Sequence, residues 1–462
     1  MFKKIASTFA NCFKIPELKS RIIYTLIILA VCRVISMIPI PGINGAELQQ
    51  FFDQQASSSG GSWVGMYSMF TGGALEKCAI GALGIMPYIS ATIIIQLLSA
   101  VVPRLSKLAR EEGGRAKIVQ YGRYLTLILC IGQGFFMASS WINAGAGGGL
   151  FQGFTGDLLL PMMRNNVWWY YIQTVIILTT GTMLLMWFGE QITERGIGNG
   201  VSLVITIGIL ARLPQAAQGV IDMFKGGIEG PVIFKAIALL LLLVGVIAAV
   251  IAVTQAQRKI PVQYAQRAVG RKVYQGGTSF MPLRVNYAGV MPVIFAQAIL
   301  MFPAPLLAKA GMAWDMPKLT ALSGMLHERS FFYLILYGLM ILFFSYFWVA
   351  TQFNELQIAD DLKKYGGYIP GVRPGQATSS FLHNAMSRIT LAGAVFLTVI
   401  AVIPIILYNQ MGVPIYVSQF FGGTSMLIIV GVMLDTMRQM ESHLLMRHYD
   451  GFLKKGRIKG RF

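Results

Sequence analysis

The sequence predicts an all-α membrane protein: ten transmembrane helices in two inverted, pseudo-symmetric halves of five, with a re-entrant half-helix that could act as a plug. Three observations carry this. Of 462 residues, 55% are hydrophobic and only 12% charged, and mean hydropathy is +0.61, a balance that cannot cover a soluble surface of this size. Ten apolar runs approach the roughly 20 residues needed to cross a hydrocarbon core. A near-duplicate occurs twice, as Gly84-Ile85-Met86-Pro87-Tyr88-Ile89 in the second run and Gly289-Val290-Met291-Pro292-Val293-Ile294 in the seventh. An offset of five runs reverses orientation, and inverted repeats usually place a pathway between their halves.

The runs lie near 21–38, 78–102, 123–142, 168–188, 197–213, 232–254, 287–308, 331–352, 389–408 and 421–437. The basic N-terminus, Met1 to Ser20, precedes a run with no small-residue cleavage site, so the first run is expected to stay as a span. Before the second span, residues 63–73 are apolar but only about half a membrane long. Such a segment either lies flat at the interface or re-enters under the shelter of protein, with Gly72-Gly73 as hinge. Trp168, Trp169, Tyr170 and Tyr171 open the fourth span as an interfacial aromatic cluster. The fifth run is short and interrupted by Gly208. Residues 1–213 then form an N-terminal half, 214–440 a C-terminal half, and 441–462 a basic tail.

An even number of spans puts both termini on one side. Of 38 lysines and arginines, 29 fall on that side, which takes the whole net charge of +19 and is therefore cytoplasmic. Two loops there, 255–286 and 353–388, are long for a helical bundle, whose connections usually take about 2–8 residues. The first carries Arg258, Lys259, Arg267, Arg271 and Lys272; the second presents Arg373 within Gly371-Val372-Arg373-Pro374-Gly375. Positive-inside topology needs their charge but neither their length nor a Pro/Gly-shaped tip, so they are expected to dock a large acidic or phosphate-bearing cytosolic body.

The interior excludes several classes. No phosphate loop, HExxH or paired-carboxylate motif occurs, so no catalysis or cofactor is expected, and Cys12, Cys32, Cys78 and Cys130 lack metal or disulfide spacing. His443 and His448 are off the helical i, i+4 spacing. Solute transporters mark their path with intramembrane charge. Here only Arg33, placed to snorkel, and Asp435 are expected at depth, beside the amides Gln96, Asn199 and Gln297. Such an interior suits a gated conduit whose energy comes from a partner or a gradient. Ile85, Ile89 and Ile294 could form a hydrophobic constriction, although taken alone they read more readily as packed or lipid-facing side chains.

At this point long motifs resemble the SecY-type subunit of bacterial preprotein translocases over nearly the whole chain. They include Ser36-Met37-Ile38-Pro39-Ile40-Pro41-Gly42, Met69-Phe70-Thr71-Gly72-Gly73-Ala74-Leu75 and the run Gly189-Glu190-Gln191-Ile192-Thr193-Glu194-Arg195-Gly196-Ile197-Gly198-Asn199-Gly200. Phe421-Gly422-Gly423-Thr424-Ser425 adds a later match. The resemblance implies an hourglass channel for unfolded preproteins in the bacterial inner membrane, both termini cytoplasmic. It implies a pore ring of Ile85, Ile89, Ile205, Ile294 and Ile428, and a plug including Trp63, Val64, Met66, Tyr67, Met69, Phe70, Gly72 and Gly73. A lateral gate would involve Ile85, Ile89, Thr92, Gln96, Ile294, Gln297 and Phe302, with Asn199 near plug-side polar contacts. Implied partners are SecE-like and SecG-like small subunits, a SecA-type motor ATPase, the ribosome, signal peptides and preproteins, and membrane lipids. Arg373 would lead docking, helped by Arg258 and Lys259. Two departures stand out: Lys259 where members commonly carry a second arginine, and Phe353-Asn354-Glu355 in place of an Asn-Pro-x-Glu turn.

Overall fold

The computed structural model describes residues 15–57, 63–111, 113–142, 154, 158–225, 230–264, 267–269, 272–274, 277–301, 303–326, 330–411, 417, 420 and 423–455. Helices of the first half are α1 (Pro16–Ile35), α2 (Gly45–Ser57), α3 (Trp63–Thr71), α4 (Met86–Val101), α5 (Pro103–Arg110) and α6 (Gly114–Ile142), followed by α7 (Pro161–Arg164), α8 (Val167–Arg195), α9 (Gly200–Leu210) and α10 (Leu213–Lys225). The second half holds α11 (Gly230–Gln255), α12 (Met291–Met301), α13 (Pro303–Ala313), α14 (Pro317–Met325), α15 (Phe331–Gln352), α16 (Glu355–Lys364), α17 (Gln376–Met411) and α18 (Gly423–Lys455).

Among the described residues, seven helical stretches are long and apolar enough to cross a membrane. The other three expected spans fall on α1, on the 16-residue α4, and on α18. Charge at the ends of α1 and α18 and the shortness of α4 keep these from standing out by hydropathy. Every expected span thus overlaps a helix. In the first half α8 packs on α1, α6 and α9, and α4 on α6; in the second, α15 packs on α12 and α17, and α18 on α11 and α17. The two groups meet where α4 touches α12 and where α9 touches α18.

The second span departs from expectation, because residues 78–85 are not helical. The Gly-Ile/Val-Met-Pro element is a helix start in both copies, not a mid-span motif. Gly84 and Gly289 take left-handed φ of +58° and +64°, Met opens each helix, and proline sits in each first turn, where its missing N–H costs nothing. The first turns close alike: the Ile89 N–H donates to the Ile85 carbonyl at 3.2 Å, and the Ile294 N–H to that of Val290 at 3.3 Å. Residues 72–85 instead run as buried turns, with Ala74, Leu75, Cys78, Ala79 and Ala82 fully enclosed. Their backbone is tied to the end of α1's connection by Ile40 N–H to Cys78 O and Ile80 N–H to Ile38 O, both 2.9 Å. Irregular backbone is tolerated at such depth only when protein satisfies it.

The two long basic loops also correct the all-helical expectation. Strands β1 (Gln257–Tyr264), β2 (Arg267–Val269), β3 (Lys272–Tyr274) and β4 (Thr278–Arg284) build a long hairpin in the first loop. Strand β5 (Gly367–Tyr368) of the second loop pairs antiparallel with β1, Gln263 opposite Tyr368, so one three-stranded sheet, β4-β1-β5, joins both loops. The sheet rests on an apolar cluster of Ile260, Leu283, Phe353, Ile369, Leu382 and Met386. The missing proline turn is replaced by a cap: Asn354 accepts from the Gln357 N–H at 3.2 Å, and Glu355 meets His383 at 2.9 Å. Asn354→Ala should cost this loop about 1 kcal/mol, checked as faster amide exchange over 355–364 with α15 unchanged.

Candidate functional site

The apolar centre is built from helix ends of both halves. Ile85 precedes α4 and Ile89 lies in its first turn, while Ile205 comes from α9, Ile294 from α12 and Ile428 from α18. All five are 4% exposed or less and share one continuous cluster with Tyr67, Met69 and Phe70 of α3. The duplicated element sets Ile89 of α4 and Ile294 of α12 at matching positions of their first turns, with Val290 standing where the first copy has Ile85.

The half-helix α3 is seated there on glycine. A Cβ at Gly208 would stand 2.8 Å from the Phe70 carbonyl oxygen, so the residue that makes the fifth run look interrupted lets α9 approach α3. Gly72 and Gly73, with φ of +63° and +87°, end α3 as a left-handed pair. Tyr67 donates to the Leu83 carbonyl at 2.9 Å, and Ser425 of α18 reaches the Met69 sulfur at 3.6 Å. Arg33 does not snorkel. Its Nη2 donates to the Gly72 carbonyl at 3.1 Å.

A second ion-bearing contact is absent from the sequence reading, which found depth only for Arg33 and Asp435. Arg212, just past α9, and Glu76, in the turns after α3, pair through both guanidinium arms at 2.6 and 2.8 Å, their side chains 5% and 3% exposed. Ser68 of α3 donates to the same carboxylate at 2.7 Å. Each charge abuts an apolar run, and charges at run ends read as loop residues; no local pattern in one sequence pairs positions 136 apart.

Asn199 lies at the wrong end of α9 for plug contact: it caps the N-terminus, accepting from the Ser202 N–H at 3.3 Å. At ~1.5 Å per residue that is roughly 13 Å from Gly208. It instead lines a mixed polar and apolar cavity of about 220 Å³ with Arg284, Asn286, Trp348, Asp435 and Arg438. Asp435 stands 3.7 Å from Arg438 there.

Among the expected gate residues, α4 and α12 do touch. Thr92 turns its hydroxyl back to the Tyr88 and Ile89 carbonyls at 2.8 Å, and half-buried Gln96 faces a less enclosed stretch of α4. Gln297, 3% exposed, reaches Thr424 of α18 at 3.4 Å. Phe302 lies outside the described residues, as does Arg271. Trp63, Val64 and Met66 belong to α3.

Arg258 and Lys259 are exposed on β1, and Arg267 and Lys272 stand on the β2–β3 hairpin. Arg373 is exposed on a turn whose backbone is fixed on both sides. Gly371 and Gly375 take φ of +81° and +101°, Ile369 is 3% exposed in the cluster beneath, and Thr378 donates to the Arg373 carbonyl at 2.9 Å.

Comparison with known proteins agrees with this architecture. The SecY family model matches residues 79–437. SecY protein translocase subunits from Chlamydia trachomatis and Escherichia coli are each 43% identical to the chain, covering 98% and 96% of it and 100% and 96% of their own lengths; that of Thermotoga maritima is 40% identical over 98% of the chain and 99% of its own length. Among solved structures, a protein-conducting channel superposes with TM-score 0.63 at 18% identity, covering 92% of both chains, and a Sec61 in a canine ribosome–channel complex with 0.59 at 18%, again covering 92% of both. The chain therefore belongs to the SecY family of protein translocase subunits.

Proposed function

We propose that this chain is the passive channel subunit of a protein translocase, passing unfolded preproteins across a membrane and releasing apolar segments sideways into lipid. The observation that carries the reading is the half-helix α3 packed onto a buried cluster of five isoleucines supplied by both halves. Isoleucine offers no hydrogen bond to a passing chain, and an apolar neck excludes hydrated ions by dewetting. Ile85, Ile89, Ile205, Ile294 and Ile428 form the neck, α3 the plug, and the contact between α4 and α12 the lateral gate, with Thr92, Gln96, Gln297 and Phe302 along it. Residues 1–213 and 214–440 are the halves that part, and 441–462 is a cytoplasmic tail.

The sheet-joined loops receive the driving partner through Arg258, Lys259, Arg267, Arg271, Lys272 and Arg373. Relatives of this fold are seen in ribosome–channel complexes. The ribosome and a SecA-type motor ATPase suit a basic platform on the cytoplasmic face of a bacterial inner membrane, with SecE-like and SecG-like subunits bracing the bundle. A signal peptide would part α4 from α12 by replacing their apolar contact with its own.

A solute transporter is less well supported, because the buried Glu76–Arg212 pair closes on itself and Ser68 instead of facing a cavity. The test is reconstitution into vesicles with the small subunits, the motor ATPase and ATP. Protease-protected preprotein is the expected product. Saturable solute uptake without protected preprotein would overturn the reading, and ribosome docking without product would reduce the chain to a scaffold.

A further inference from the structure

We propose that Ser68, Glu76 and Arg212 form a two-part latch on α3, resting on the channel reading above: the buried ion pair is a permanent seat, and the Ser68 hydroxyl is the part that lets go. The hinge divides the three residues. Ser68 lies on α3, before Gly72-Gly73, whereas Glu76 lies after it in turns bonded to the chain behind α1, and Arg212 stands at the end of α9. Rotation about the hinge therefore withdraws Ser68 and leaves Glu76 on Arg212.

The chemistry favours that division. Removing one member of a buried pair strands the other charge, which is far costlier than losing one hydrogen bond from a hydroxyl. Here the pair keeps both guanidinium arms on the carboxylate, and Ser68 adds a third bond at 2.7 Å while its own hydroxyl and carbonyl also receive Arg212. Arg212 contacts Gln215 as well, a side chain on its own side of the hinge. The guanidinium also lies over Gly73, where an added Cβ would meet it at 3.2 Å. The sequence of α3, Trp-Val-Gly-Met-Tyr-Ser-Met-Phe-Thr, carries no lysine, arginine, aspartate or glutamate. The plug can thus be held by charge without carrying charge with it. Its other polar ties, Tyr67 to the Leu83 carbonyl and Met69 to the Ser425 hydroxyl, likewise end on groups outside α3, while Arg33 holds the Gly72 carbonyl at the hinge.

The experiment measures resting ion conductance of the reconstituted translocase complex in planar bilayers, beside import of a signal-bearing and a signal-deleted preprotein. Ser68→Ala should raise resting conductance and signal-deleted import roughly 10- to 150-fold, the loss expected for a hydrogen bond to a charged group at about 1.4 kcal/mol per tenfold. In an E76Q/R212Q background, which removes both charges that the Ser68 hydroxyl meets and buries none, the same substitution should add less than about twofold. Parental conductance in Ser68→Ala, or effects that multiply independently, would overturn the latch while signal-bearing import by the parent still upholds the channel. Absence of that import from the parent would remove both.

Discussion

Arg373→Glu is expected to lower partner-driven import at least a hundredfold while the protein still inserts at parental levels. The side chain is exposed, so its replacement removes no packing, and surface substitutions of this kind usually change stability by no more than ~0.5 kcal/mol. The turn that presents it is held by Ile369 below and by two left-handed glycines, so position 373 keeps its place when the charge changes. What changes is the field met by an acidic or phosphate-bearing partner. Loss of a well-paired interfacial charge costs roughly 2–5 kcal/mol, and reversal adds repulsion. Vesicle import with membrane-fraction quantitation checks this. Undiminished import at equal protein would remove Arg373 from the docking surface.

The second large effect is expected at Gly208→Val. Its first carbon would lie 2.8 Å from the Phe70 carbonyl oxygen, a backbone atom that moves only if α3 moves. Overpacking of this kind costs about 1–3 kcal/mol, which is a roughly 5- to 150-fold rise in displaced plug at about 1.4 kcal/mol per tenfold. Resting conductance should rise by that factor, and signal-deleted preprotein should cross. Parental conductance from a folded variant would show that α9 does not hold α3 shut.

Much of this was legible in the sequence where the signal is local or periodic. Ten apolar runs located ten helices, and the duplicated Gly-Ile/Val-Met-Pro element identified two equivalent places. What hydropathy could not supply was where helix begins within a run. Residues 78–85 are as apolar as a span yet fold as turns, because Gly84 takes a left-handed φ and their backbone groups are met by Ile38, Ile40 and Tyr67 and by turn bonds such as Ala82 N–H to Ala79 O. The sheet uniting the loops escaped for a similar reason: Gly367-Tyr368 is too short to signal a strand until β1 lies beside it. Glu76 and Arg212 escaped because their meaning is pairwise and long-range. Asn199 was set near the plug-side contacts only by the family resemblance, and no local signal in the sequence says that it caps the opposite end of α9.

The strand pairing between the two long basic loops has a mechanical consequence. Strand β4 ends at Arg284 and α12 begins at Met291, so only a short tether separates the sheet from a helix that touches α4. A force applied at either loop is shared across β4, β1 and β5 instead of being absorbed by a slack connector. On the proposed reading the sheet would act as a lever arm whose fulcrum is the apolar cluster beneath it, its output end pulling on one side of the α4–α12 contact proposed as the gate.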